Sequence, residues 1–228
     1  MELKEVLAGA RVLPVLVVDE VEHAVPLARA LAAAGLTVLE VTLRTPAALP
    51  AVERMAAEVP EVVVGVGTVT LPGDFEAARR AGARFAVSPG LTPQLLRAAR
   101  DCDLPYLPGV MTPSEAMTAG ELGFGALKLF PARAAGGTDL LQALAGPLPD
   151  LVFCPTGGIG VQDLGSYLTL PNVVCIGGSW MVPRQALREG SWETIGRLAR
   201  EARAAADAVE VGAAGRRYGH RGGPGDGQ

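Results

Sequence analysis

The chain has 228 residues, about half of them apolar, with 29 Gly and 18 Pro. Its 20 basic and 24 acidic residues leave a net charge of -4, which argues against a strongly basic nucleic-acid or heparin binder. Apolar runs are broken by Gly, Pro or charge before about 18 residues, so no membrane span is expected. The first nine residues carry Glu2 and Glu5 rather than the basic start of a secretory signal, and a cytoplasmic protein is expected.

Short β-rich runs alternate with Ala/Leu/Arg/Glu runs of helical pattern. Candidate strands centre on Val15, Leu39, Val63, Phe85, Tyr106, Lys128, Phe153 and Val174, separated by 24, 24, 22, 21, 22, 25 and 21 residues. Helices are predicted over 20–34, 47–59, 74–81, 92–101 and 113–122, with one helix or a broken pair from Trp180 to about Val211. Pro93 and Pro113 each follow a Thr, a helix-start pattern, and Gly35, Gly82 and Gly123 fall where helices should stop. Asp19 reads as a helix cap and His23 as exposed. The strands are apolar on both faces, as parallel strands covered by helices are. An open doubly wound sheet competes with a closed barrel. Eight even units, and no Gly-x-Gly-x-x-Gly after the first strand, favour a single (β/α)8 TIM barrel over residues 1–211. Residues 212–228 are rich in Gly and Arg, have little to bury, and read as a flexible tail.

Three cysteines at wide spacings, Cys102, Cys154 and Cys175, suggest neither a disulfide framework nor a zinc knuckle. Cys154 and Cys175 read as small core residues. Two histidines are too few for a His-based metal site.

Only two of the 20 basic residues are Lys, Lys4 and Lys128. Lys128 sits mid-strand in ALKLFP. Desolvation disfavours a charged amine, and a neutral amine can attack a ketone and form a Schiff base. A salt bridge or a lysine reaching the barrel mouth would also explain it. Glu40 shares a strand face with Val38 and Thr42 in LTVLEVTLRT. If that face looks inward, Glu40 and Lys128 meet across the barrel from strands two and six. Glu40 could then move protons, or merely pair with Lys128 or Arg44. Arg44 ends strand two and suits a carboxylate. Thr68, at the end of strand three, could hold the same carboxylate. Pro89 ends strand four and shapes the rim. Phe130 and Trp180 wall a pocket or fill core.

Two glycine-rich ends follow, CPTGGI and CIGGSW. Adjacent glycines let a backbone approach a ligand and present N–H groups, and the ends of strands seven and eight are the usual phosphate cradle of such barrels. Gly157, Gly158, Gly177, Gly178 and Ser179 are therefore candidates; two tight turns are the plainer alternative.

The ordered segments PVLVV, EHAVPLARAL, VLEVTLRT, GVGTV, AVSPG, LPGVMTPSE, ALKLFPA, FCPTGGI and CIGGSWMVP, from about Val12 to Ala204, resemble the 2-keto-3-deoxy-6-phosphogluconate/4-hydroxy-2-oxoglutarate aldolase family. GVGTV replaces the commoner GAGTV, a change of volume only. The resemblance implies a homotrimer of (β/α)8 barrels. It implies Lys128 as the Schiff-base lysine, Glu40 as general acid/base, and Arg44 with Thr68 on the substrate carboxylate. Pro89 would be the proline of the family's SPG segment, a substrate-site position, and Phe130 would pack beside the lysine. Thr156, Gly157, Gly158 and Ser179 would hold the distal part and its phosphate. The implied partners are a 2-keto acid and a phosphorylated aldehyde, with no metal or organic cofactor. Cleavage of 4-hydroxy-2-oxoglutarate or of the 6-phosphogalactonate epimer is the nearest alternative; a phosphate-binding barrel isomerase or epimerase would be of another class.

Overall fold

The computed structural model describes residues 3–214 and Arg217. Nine short parallel strands alternate with helices. They are β1 (Val12–Leu16), β2 (Val38–Thr42), β3 (Val63–Gly67), β4 (Ala86–Val87), β5 (Tyr106–Leu107), β6 (Gly109–Val110), β7 (Ala126–Leu129), β8 (Val152–Pro155) and β9 (Ile176–Gly178). Six join in the order β5-β4-β3-β2-β1-β9 and three as β6-β7-β8. All of the ladders are parallel. The result is an α/β fold resembling a TIM barrel. The expected closed barrel is met in strand order and direction. Full closure is the finer point: among the described residues the ladders group into a six-stranded and a three-stranded sheet. At Pro108 a single extended segment passes from pairing with β4, through β5, to pairing with β7, through β6; proline offers that ladder no N–H, but its carbonyl accepts from Lys128 N at 2.9 Å.

Helices cover the outside. They are α1 (Leu3–Ala10), α2 (Ala24–Ala32), α3 (Ala48–Glu58), α4 (Gly73–Arg80), α5 (Pro93–Cys102), α6 (Pro113–Glu121), α7 (Gly137–Ala145), α8 (Leu164–Leu168), α9 (Arg184–Arg188) and α10 (Trp192–Asp207). In α3 the buried residues Ala48, Ala51, Val52 and Met55 recur at three- and four-residue steps, giving one apolar stripe against the sheet. Burying a side chain such as Met55 stabilises the fold by about 1.5–3 kcal/mol. Thr92 and Thr112 cap α5 and α6, accepting from Leu95 N and Glu115 N. Asp19 does not cap: the short 3-10 turn Val21–His23 starts at Glu20 with no side-chain cap. His23 is half-buried rather than exposed, its ring edge-on to Trp192 at 5.4 Å.

Alternation along the strands divides the core in two. Leu39, Val41, Leu127, Leu129 and Phe153 belong to the layer between strands and helices. Leu13, Val38, Phe85, Val87, Leu107, Ala126, Val152, Cys154 and Cys175 form an inner cluster. Leu7, Ala8 and Ala10 of α1 join that inner cluster and plug the N-terminal end of the strands. This helix was not foreseen: it is eight residues long and carries no capping signal.

No helix among the described residues is long and apolar enough to cross a membrane. Of the Gly/Arg-rich end, Gly212 N donates to Leu168 O and Ala214 N to Pro171 O, both at 2.8 Å. Except for Arg217, the rest of that predicted tail lies outside the described residues.

Candidate active site

Two-residue periodicity turns Glu40 inward from β2 and Lys128 inward from β7. Their flanking residues, Leu39 and Val41, Leu127 and Leu129, all face the helices. Lys128 Nζ lies 3.0 Å from Glu40 Oε1 and 3.4 Å from Oε2. Glu40 is fully buried and Lys128 is 5 % exposed. Taking both groups out of water is costly; their mutual attraction offsets that cost, and losing either would leave the other buried without a partner.

The backbone makes room for it. Gly67 pairs in register with Thr42, and a Cβ there would come within 2.7 Å of the Glu40 Cδ. Any larger residue would displace the carboxylate. Cys154 is the in-register neighbour of Lys128. Cys175 has its thiol pushed well up, first by burial and then by Cys154 and the Glu40 charge. It is therefore held as a neutral thiol beside Cys154. The Lys128 amine also stands 5.3 Å from the Phe130 ring centroid.

Arg44 follows β2 at the C-terminal rim and is exposed. Its Nε donates to Thr68 Oγ1 at 3.2 Å. Thr68 holds a left-handed φ of 62°, an unfavourable conformation for a β-branched residue. The threonines on either side of Arg44 anchor this rim to β1: Thr42 Oγ1 donates to Leu16 O at 2.9 Å and Thr45 Oγ1 to Val18 O at 2.5 Å. Thr45 was missed in the sequence, where a rim hydroxyl is indistinguishable from any loop threonine.

Pro89 is half-buried against the backbone of Gly109, the residue in register with Lys128. The residue that holds this corner is Ser88, which the sequence reading passed over for its neighbour. It is fully buried. Its Oγ meets Tyr106 Oη and Gly90 O, both at 2.6 Å, and accepts from Gly109 N at 3.2 Å. Burial pushes the Tyr106 hydroxyl up to about 12, against a smaller lowering by Ser88.

At the end of β8, Thr156 is buried and forms an isolated bridge with Gly177. Gly157 and Gly158 take φ of 100° and 76°, so neither position suits a side chain. A Cβ on Gly157 would touch Phe130 at 3.3 Å, which places this loop beside the lysine strand. Gly178 is buried, and a Cβ there would run into the Trp180 ring. Ser179 is exposed at the rim and lines, with Arg44, a cleft of about 330 Å³. The structure thus joins Lys128 to Glu40 and Phe130, sets Gly157 beside Phe130, and puts Arg44 and Ser179 on one rim cleft. Pro89 reaches the first group only through Gly109. No cluster of three or more His, Cys, Asp or Glu suited to a metal occurs among the described residues.

Fold and site together define a parallel α/β protein with a buried amine and carboxylate inside its strands and arginine at the strand ends. Comparison with known proteins narrows this. A family model described as "Aldolase: KDPG and KHG aldolase" matches residues 3–198. The chain is 49% identical over 205 residues to the 2-dehydro-3-deoxy-phosphogluconate aldolase of Dickeya dadantii, covering 90% of this chain and 96% of that one. It is 50% identical over 199 residues to the KHG/KDPG aldolase of Escherichia coli K12, covering 87% and 93%. A crystal structure of KDPG aldolase from Legionella pneumophila, with pyruvate captured as a covalent carbinolamine intermediate, superposes with a TM-score of 0.84 at 46% identity. It covers 86% of this chain and 96% of that one. The chain belongs to the KDPG and KHG aldolase family.

Proposed function

We propose that this protein is a metal-independent Schiff-base aldolase, a carbon–carbon lyase. It reversibly cleaves 2-keto-3-deoxy-6-phosphogluconate to pyruvate and glyceraldehyde 3-phosphate. The observation that carries this reading is the buried 3.0 Å contact between Lys128 and Glu40. Glu40 takes a proton from Lys128, the freed amine attacks the substrate C2 ketone, and a proton passes from the new ammonium to the alkoxide, giving a carbinolamine. Glu40 returns the proton to the departing hydroxyl, water leaves, and an iminium remains. Glu40, directly or through a water, then takes the C4 hydroxyl proton. The C3–C4 electron pair flows into the iminium and the aldehyde departs. The resulting enamine receives that proton at C3, and water releases pyruvate from Lys128. The iminium serves as the electron sink, so this route needs no metal. Arg44 and Thr68 hold the carboxylate, with Pro89 and Phe130 beside the reacting carbons. Thr156, Gly157, Gly158, Gly177, Gly178 and Ser179 take the distal end.

A second substrate, 4-hydroxy-2-oxoglutarate, is favoured by the double name of the Escherichia coli relative. The same chemistry then yields pyruvate and glyoxylate. We also propose a closed barrel and a homotrimer in the cytoplasm. The bridges Phe153–Val173 and Thr156–Gly177 support closure of the seam after β8. Exposed Leu71, Met111 and Met117 offer apolar surface for self-association. Three free cysteines suit a reducing compartment.

The test is borohydride reduction with pyruvate, followed by peptide mass analysis, alongside a pyruvate-release assay on the phosphorylated substrate. One adduct on Lys128, absent in Lys128→Arg, is expected. An unmodified Lys128 peptide with no pyruvate release would overturn the reading.

A further inference from the structure

The rim cleft that Arg44 lines carries a second arginine, Arg184, with no part in the chemistry proposed for Lys128 and Glu40. The cleft is lined by Arg44, the end of β1, Ser179, Val182, Pro183 and Arg184. Arg184 is exposed. None of the ion pairs among the described residues engages it. On its own helix, Gln185 and Glu189 bond to each other at 2.9 Å, which occupies the acidic side chain nearest in sequence. A guanidinium therefore lines a concave site that Ser179 and a second guanidinium, Arg44, also line.

The substrate class sets the requirement. Both substrates considered above are anionic at each end. One end is the C1 carboxylate, the task of Arg44 and Thr68. The other is a phosphate of nearly two negative charges in one substrate and a carboxylate of one charge in the other. The glycine backbones near it supply N–H donors but no net charge. A planar fork of donors with a fixed positive charge matches phosphate oxygens and rewards the second charge.

Resting on the aldolase reading, we propose that Arg184 is a specificity-determining residue. It binds the distal phosphate together with Ser179 and tilts the enzyme toward the phosphorylated substrate over 4-hydroxy-2-oxoglutarate. The wall Val182–Pro183 is buried on one side, at Val182, and ordered by Val182 N donating to Ser179 O at 3.1 Å, so Arg184 and Ser179 are held on one short segment.

The experiment compares kcat and KM on both substrates for the full-length protein and for Arg184→Gln and Arg184→Lys. Arg184→Gln is expected to lower kcat/KM on the phosphorylated substrate by about 30-fold, chiefly through KM, the size of one lost charge-assisted contact. It should lower kcat/KM on 4-hydroxy-2-oxoglutarate by only about threefold, so that the preference narrows by about tenfold. Arg184→Lys, which keeps the charge but loses the fork, should recover part of the preference. An unchanged preference in Arg184→Gln, or an equal loss on both substrates, overturns the assignment while leaving the aldolase reading intact. A wild-type protein that cleaves neither substrate, and forms no pyruvate adduct, removes both.

Discussion

Lys128 Nζ touches Glu40 Oε1 at 3.0 Å, although 88 positions separate the two residues and their strands are not neighbours in either sheet. The contact crosses the interior, where both side chains are out of water. Removing one partner strands a buried charge. Glu40→Leu or Lys128→Met alone is expected to cost about 3–5 kcal/mol. The double variant should recover much of that loss, because a well-packed apolar pair replaces a buried ion pair at little cost. Urea unfolding of the three variants measures it. Strict additivity of the two losses would show that the residues are not coupled.

Glu40→Gln separates proton transfer from packing. The amide nearly preserves volume but cannot accept and return protons as a carboxylate does. Turnover is expected to fall by about 10²–10⁴-fold. Pyruvate with borohydride should still label Lys128, more slowly. Normal turnover in this variant would mean that another group carries the proton.

Gly67→Ala tests the space reserved for the carboxylate. The added methyl would lie within 2.7 Å of the Glu40 Cδ, so the side chain must move. A displacement of about 1 Å costs about 10²-fold in rate, and overpacking costs about 1–3 kcal/mol. Steady-state kinetics and thermal unfolding should report both losses together. Full activity in Gly67→Ala would show that the Glu40 position is not critical.

Tyr106 predicts an alkaline limit to stability. Burial raises its hydroxyl to about 12, above the ordinary value of 10. Between those values the folded state holds a proton that the unfolded chain has lost. The stability is therefore complete below about pH 10 and is lost as pH rises through about 12, on the order of 2 kcal/mol. Tyr106→Phe should remove this component, flattening the stability profile relative to the wild type between pH 10 and 12. Ser88→Ala should behave differently. It leaves the Tyr106 hydroxyl and Gly109 N without their shared partner, lowering stability by about 1–3 kcal/mol at neutral pH.

The periodic features were legible in advance. Lys128 and Glu40 stood out because a charged residue in an apolar strand breaks a pattern that local sequence defines. Thr92 and Thr112 announced helix starts because a cap acts on atoms three residues away. Ser88, Thr45 and Gly67 did not stand out. Each acts on an atom from another strand or its loop, and nothing in the neighbouring residues marks it. Arg184 looked like one arginine among 18 until the fold set it on the same cleft as Ser179 and Arg44.

The sequence by itself determined the alternating parallel architecture and which strand faces are polar, because apolar periodicity and helix stops are properties of neighbouring residues. Only the tertiary structure decided that the polar faces of β2 and β7 look at each other, that α1 plugs the far end, and that the segment through Pro108 pairs with β4 on one side and β7 on the other. These depend on which strands lie opposite once the sheet curves, a long-range relation that no stretch of neighbouring residues encodes.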